Sequence, residues 1–558
     1  GVSTIGMSES LSSKPKSRLI LKTVANIKTT SEKLETCNDP IIYDPSFNER
    51  INMDKPNDAW VMDDKRVFPE FIDRFTIKVD TDKRHPHKLW NVKNNSYSNI
   101  QAYRHQKFVS DYLNDNSPYR GLLLYHGLGS GKSGASITIA EGYRGKRVVV
   151  MLPYSLKQNY EDEIATFGDI AYRKLYHWCF IPLDYKSKKN PTNDAHNKEI
   201  YDIMSEKGLE KTLLQKIITK RAKKNYGVWL IDITKDEPNY SSLSSEHRNE
   251  IDKQIKKLYN YKYSFVHYNA GAYVLPQIFK LISTYDVIKA SIFGNSTEDS
   301  KLTNKDKDTI LEHIYNPENE VENPFNNKVI IIDEIHNLSS MMIGNGYNGP
   351  RIYELLMRAT NCNLILLSGT PMINSAYELG IIANILRGFV NSIVFKVINL
   401  NSTDLINLKN KLKSNIHINR FEIKNGNEIE IVRNTKGFIN KYNSSSGKKI
   451  GIVKNNDIKY ISDEELIKSL NPAFDDLDTD VAPEFVVEGG ISHKRYNMFP
   501  DGLNQTGDSN IWLKKQQMID AEEIFNNRYV DYDKFCIKNS SREDFQNRLV
   551  GLISHYNE

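Results

Sequence analysis

Three short clusters in this chain carry the groups that could do chemistry together: HGLGSGKS at 126–133, DEIH at 333–336 and SGT at 368–370. In the first, glycines at 127, 129 and 131 let the backbone curl. Successive N–H groups then point inward at a polyphosphate, at the positive end of the helix that follows. Gly127, Leu128, Gly129, Ser130 and Gly131 would line that cradle, Lys132 would reach the β- and γ-phosphates, and the Ser133 hydroxyl would hold Mg²⁺. The general pattern G-x-x-x-x-G-K-[ST] asks for glycine six residues before the lysine, and His126 stands there instead. In the second cluster Asp333 would hold Mg²⁺ through its water shell, and Glu334 would position and polarise an attacking water. His336 lies where it can sense the γ-phosphate. In the third, the hydroxyls of Ser368 and Thr370, on either side of Gly369, could link that phosphate to movement of a neighbouring domain.

The flanking sequence supplies the elements that must position these groups. Leu122–Tyr125, Val148–Leu152, Val329–Ile332 and NLILL at 363–367 are continuous apolar runs, the pattern of parallel strands buried on both faces. Each cluster follows such a run, at the carboxyl edge where open α/β sheets bind ligands. A helix-compatible run starts at Gly134, and a second helix is expected from Ser155 to Ile164, just past Pro153. The amides opening that second helix could hold a nucleic-acid phosphate, or they could belong to an ordinary strand–helix loop. Earlier, IQAYRHQKFVSDYL spaces Phe108, Val109, Tyr112 and Leu113 as on a helix. Gln106 within it could read both the donor and the acceptor edge of adenine, and a surface glutamine is an equal reading.

Composition narrows the class. A chain of 558 residues has room for several domains, and a net charge of +5 is too mild to demand a nucleic-acid partner by itself. Four cysteines (37, 179, 362, 536) lie far apart, which excludes a zinc ribbon and a disulfide framework and fits a reducing compartment. No apolar run approaches the ~20 residues of a membrane span. Residues 1–40, rich in Ser, Thr and Lys, read as mostly disordered. Residues 185–262 interrupt the strand–helix rhythm with 17 Lys/Arg against 11 Asp/Glu. Their densest clusters are Lys186, Lys188, Lys189, Lys220, Arg221, Lys223 and Lys224. They suit a helical element touching phosphate backbone, although a solvated lysine-rich insertion is the plainer and preferred reading.

HGLGSGKS, DEIH and SGTPMIN in this order resemble motifs I, II and III of superfamily 2 helicases and translocases, the last in a form similar to the Snf2-related branch. SPYRGLLLYHGLGSGKS, MLPYSLKQNYEDEI and the terminal FQNRLVGLISHYN resemble ATPases of large cytoplasmic DNA viruses, in which a histidine at the start of the loop is usual. The resemblance covers about residues 96–175 and 263–385 and the last twenty residues. It implies ATP and Mg²⁺ as cofactors, with Lys132, Asp333 and Glu334 catalytic and His336, Ser368, Gly369 and Thr370 coupling hydrolysis to nucleic acid. DNA rather than RNA is the implied partner, with viral RNA polymerase or transcription-factor subunits beside it, in the virion or host cytoplasm and away from membranes. A scaffold subunit that turns over only with a partner, or an RNA helicase, are the alternatives. After Leu386 no Q-x-x-G-R-x-x-R pattern follows, so a second RecA-like lobe is expected from a longer or split motor.

The expected fold is α/β: a parallel-sheet RecA-like P-loop NTPase lobe over 96–386 with a helical basic insertion at about 185–262. A partly irregular N-terminal extension (1–95) precedes it, and a mixed α+β inter-lobe region (387–558) follows.

Overall fold

The computed structural model describes most of the chain from Tyr119 onward; residues 1–88, 184–216, 221–225, 471–485, 500–514 and several shorter stretches lie outside the described residues. Residues 1–40, Gln106, the loop tip Leu128–Ser130, and every clustered lysine and arginine of the insertion except Lys220 fall in that undescribed part.

Six short strands make the central sheet: β1 (Gly121–His126), β2 (Arg147–Met151), β3 (Tyr263–Val266), β4 (Lys328–Ile332), β5 (Asn363–Ser368) and β6 (Ile553–Tyr556). They lie in the order β6-β1-β5-β4-β2-β3, and every neighbouring pair runs parallel. A sheet covered on both faces has no use for polar alternation, and Leu122–Leu124, Val148–Val150, Ile330–Ile332 and Leu364–Leu367 are accordingly buried. The sheet confirms the parallel α/β lobe read from the apolar runs.

Crossovers between parallel strands pass through helices. α1 (Lys132–Glu141) follows β1, α2 (Lys157–Phe167) follows β2 after a short 3-10 turn, and α3 (Ser245–Lys262) leads into β3. α4 (Val274–Phe279) follows β3, α5 (Ile335–Ile343) and α6 (Asn348–Arg358) join β4 to β5, and α7 (Tyr377–Arg387) follows β5. α1 is tied to α2 where the Ser136 and Tyr160 hydroxyls meet at 2.7 Å.

The insertion holds sheet as well as helix. Trp178–Leu183, Tyr226–Ile231 and Thr219–Lys220 form a three-stranded antiparallel sheet ahead of α3. The run YGVWLI is β-branched and aromatic enough for a strand. α3 buries Ile251, Ile255 and Leu258 at helical spacing and leaves Lys253, Lys256 and Lys257 exposed, while Lys262 at its end pairs with the buried Glu141 (3.3 Å). Cys362 and Cys536 are free thiols.

Beyond Arg387 the chain builds a four-stranded antiparallel sheet in the order Ile418–Lys424, Glu428–Arg433, Val390–Ile398, Val486–Tyr496. Its first hairpin turns at Asn425 and Gly426, both with positive φ (51° and 80°), the conformation that Asn-Gly adopts most readily. A small separate core (Phe395, Leu408, Leu412, Ile431, Leu466) backs this sheet.

The last part of the chain then returns to the main lobe. α8 (Lys515–Tyr529) and α9 (Arg542–Leu549) bring Phe525, Tyr529 and Phe545 together with Phe499, and Phe525 also meets Tyr377 of α7 at 5.1 Å between ring centroids. β6 pairs with β1 so that Ile553 faces Leu123 and Tyr556 faces His126. The Leu123 amide donates to the Leu552 carbonyl (2.8 Å), the Tyr112 hydroxyl donates to the Gly551 carbonyl (2.8 Å), and His126 Nε2 lies 3.0 Å from Ser554 Oγ. Among the described residues no helix is long and apolar enough to cross a membrane.

Because Phe525 is fully buried between α7, α8 and α9, Phe525→Ala is expected to cost about 3–5 kcal/mol in urea unfolding. Its exposed neighbour Ile524 should change stability by less than about 0.5 kcal/mol when replaced by Ala. Equal losses would contradict this docking.

Candidate active site

β1, β5 and β4 are consecutive in the sheet, so the three chemical clusters leave it side by side at one edge. The phosphate-loop segment enters α1 through Gly131, whose φ of 70° is a conformation that side chains disfavour. α1 thus turns its N-terminal end back toward the loop, and its Ala135 amide donates to the Gly131 carbonyl (2.9 Å). The Lys132 ammonium donates to the carbonyls of His126 (2.9 Å) and Gly127 (3.0 Å), lying across the loop it closes. From β5, Gly369 comes close to the same ammonium: a Cβ there would stand 3.9 Å from Lys132 Nζ.

The acid pair is held tightly. The Asp333 amide donates to the Met151 carbonyl (2.9 Å), which fixes the end of β4 against β2. Glu334 adopts φ 51°, ψ 52°, a left-handed conformation that costs a non-glycine residue about 1 kcal/mol or more. Its amide donates to Asp333 Oδ1 (3.0 Å), and the Tyr268 hydroxyl reaches the carbonyls of Asp333 (3.0 Å) and Glu334 (3.3 Å). These contacts over-determine the turn that carries the Glu334 side chain.

From Glu334 a polar chain runs to the third cluster. His336 Nδ1 lies 3.3 Å from Glu334 Oε2 and 2.9 Å from Ser368 Oγ, and Ser368 Oγ accepts from the Thr370 amide at 3.0 Å. Glu378, buried in α7, then accepts from the Ile373 amide (2.7 Å) and the Asn374 amide, pinning the loop that carries PMIN.

Electrostatics favour a cation here. Burial first, and then the Glu334 charge, push the Asp333 carboxyl up to about 6 against the opposing pull of the Glu334 amide and Lys132. Glu163, on α2, is also raised, by burial and then by Asp333, while the Gly134 amide and Ser133 hydroxyl draw it down. Negative charge is therefore crowded around Ser133. A divalent ion would relieve it, with Ser133 and Asp333 as the side chains able to hold one. Among the described residues no group of three or more His, Cys, Asp or Glu side chains could bind a metal unaided. The donor set suits Mg²⁺, which keeps water and phosphate oxygens as its main ligands. The arrangement can seat a Mg²⁺–polyphosphate and set a carboxylate against a water beyond it.

Of the residues singled out from sequence, the structure brings together Gly127, Gly131, Lys132, Ser133, Asp333, Glu334, His336, Ser368, Gly369 and Thr370. Sequence reasoning missed Tyr268, Glu163 and Glu378. Glu163 lies one turn beyond Tyr160 in KQNYEDEI, and that i, i+3 relation was a usable signal. Tyr268 stands two residues past an apolar strand, in SFVHYN.

No protein-family model matches the chain. A protein of Acanthamoeba polyphaga mimivirus named "Putative ATP-dependent RNA helicase" is 33% identical over 116 residues, 20% of this chain and 18% of that protein. A second mimivirus protein of the same name is 24% identical over 304 residues, 53% of this chain and 20% of the relative. A "Putative helicase" of Invertebrate iridescent virus 3 is 22% identical over 271 residues, covering 48% and 18% respectively. The chain thus spans about a fifth of the length of each of these relatives. It is a distant homologue of such viral helicase-like proteins, which supports a place in superfamily 2 in the broad sense only.

The raised Asp333 pKa has a consequence for stability. A carboxyl whose folded pKa lies above its unfolded value favours folding below about pH 4, and that contribution is lost as pH rises through about 6. Asp333→Asn should therefore be more stable than the parent at pH 7, by up to roughly 3 kcal/mol, with the difference closing at pH 4. Denaturant unfolding at pH 4, 5, 6 and 7 checks this; a difference that does not vary with pH would contradict it.

Proposed function

We propose that this chain is the ATP-binding and hydrolysing portion of a nucleic-acid-dependent motor of the superfamily 2 helicase type, acting on RNA. The observation that carries the reading is the line of contacts Glu334–His336–Ser368–Thr370 across the ends of β4 and β5. It connects the carboxylate best placed to act on water with the loop at the end of the neighbouring strand.

In this reading Gly127, Leu128, Gly129, Ser130, Gly131 and Lys132 hold the phosphates, Gln106 meets the adenine, and Ser133 and Asp333 take Mg²⁺. The bound ion supplies positive charge where the β- and γ-phosphate oxygens gain negative charge. Lys132 exchanges its loop carbonyls for those oxygens. Glu334 orients the attacking water and draws its proton, which His336 stands close enough to sense. Ser368, Gly369 and Thr370 pass the change toward the nucleic acid. The cross-cleft arginines of such motors are assigned to a second lobe, in the same polypeptide or a separate one.

RNA is favoured because three mimivirus relatives carry it in their names. SGTPMIN and the terminal FQNRLVGLISHYN resemble the Snf2-like and viral DNA-dependent ATPases, which makes duplex DNA in viral transcription the second reading. That setting would bring polymerase or transcription-factor subunits as partners in the virion or host cytoplasm.

ATP hydrolysis, measured with RNA, with duplex DNA and with neither, separates these. RNA is expected to stimulate, and Glu334→Gln should bind ATP while losing turnover by about 100-fold or more. Lys132→Ala should lose turnover and weaken ATP binding with the fold retained. Hydrolysis retained by Lys132→Ala would remove the assignment, and stimulation by duplex DNA alone would move it to the second reading.

A further inference from the structure

Beyond the acid pair, the same edge of the sheet opens at the ends of β2 and β3 into a cavity of about 510 Å³. Tyr154, which follows β2, and Tyr273, at the start of α4, both border it. They are 70% and 53% exposed, although large aromatic rings ordinarily gain from burial. Neither is carried on a loose segment. The Tyr154 amide donates to Asn269 Oδ1 (3.3 Å), and its ring stands edge-on to His267 at 5.0 Å. The Gly271 carbonyl, two residues before Tyr273, accepts from Asn348 Nδ2 at 2.8 Å. Ala270 and Pro276 add apolar wall, and Gln277 spends its side-chain oxygen on the His267 amide (2.9 Å). At the rim Lys280 pairs with Asp299 (2.7 Å) yet keeps more than half of its side chain in solvent.

We propose that this cavity receives an unpaired nucleobase of a single strand, stacked on Tyr154 and Tyr273 with the neighbouring phosphate beside Lys280. The site rests on the nucleic-acid reading above and deepens it. Two exposed aromatic rings on anchored backbone, with a half-exposed cation at their edge, are the elements of a sequence-tolerant stacking platform. A paired base keeps both faces in its own stack and cannot enter, so the cavity selects single strand over duplex.

Fluorescence anisotropy on the full chain, without nucleotide, tests this with three labelled probes: an oligouridylate, a sugar–phosphate strand of equal length lacking bases, and a duplex. Tyr154→Ala and Tyr273→Ala should each weaken oligouridylate binding about 10-fold, and Tyr154→Phe should restore it. Both should leave the baseless strand and the duplex unchanged. Unchanged oligouridylate binding in both Ala variants, or equal losses on the baseless strand, would overturn the proposal. So would free UMP binding that depends on Tyr154 in a protein that binds no strand. Lys132→Ala in parallel keeps the two readings apart: it should lose ATP turnover and retain the tyrosine-dependent binding.

Discussion

Lys132 and the carboxylates of Asp333, Glu334 and Glu163 are brought by three different elements into one partly buried space, and their charges do not balance. Desolvation makes the imbalance expensive, which is why Asp333 resists ionisation. A sheet that tolerated this only for its fold would replace the acid by an amide. Keeping it makes sense where a dication and a polyphosphate complete the charge. The surrounding architecture can be read as what is needed to hold these groups still. Gly131 turns the loop into α1, the Asp333 amide is tied to β2, and Tyr268 clamps the carbonyls of the strained turn at Glu334.

Strand order then decides what the site can influence. Because β5 lies between β1 and β4, the loop bearing Ser368 sits between lysine and acid, and His336 bridges directly to it. Glu378 extends the line by gripping the next loop through its amides. On the other flank β6 pairs with β1, and Ser554 meets the imidazole of His126, whose carbonyl receives Lys132. A residue that departs from the usual glycine at the head of the loop thus has a structural occupation: its side chain faces the terminal strand and its backbone faces the lysine.

Much of this was legible in advance because buried parallel strands write themselves as unbroken apolar runs, and because lysine, serine and paired acids at strand ends are rare by chance. What escaped was contact through side chains. Tyr268 acts through a hydroxyl aimed at backbone more than sixty residues away. Glu378 grips amides only four and five residues before it, a loop contact that neither periodicity nor motif spacing encodes. The three-stranded sheet reaching into the insertion was hidden for another reason: one strand is only two residues long, and YGVWLI is a single apolar run flanked by lysine-rich sequence. β6 is only four residues long, and its partner β1 lies more than four hundred residues earlier, a pairing that periodicity cannot anticipate.

Amide hydrogen exchange with and without Mg²⁺·ATP tests most directly whether the three clusters form one nucleotide site. The account predicts that protection rises together at the amides of 131–135, 333–336 and 368–370, while the antiparallel sheet of 390–496 is unaffected. Protection confined to one cluster, or absent from all three, would contradict it.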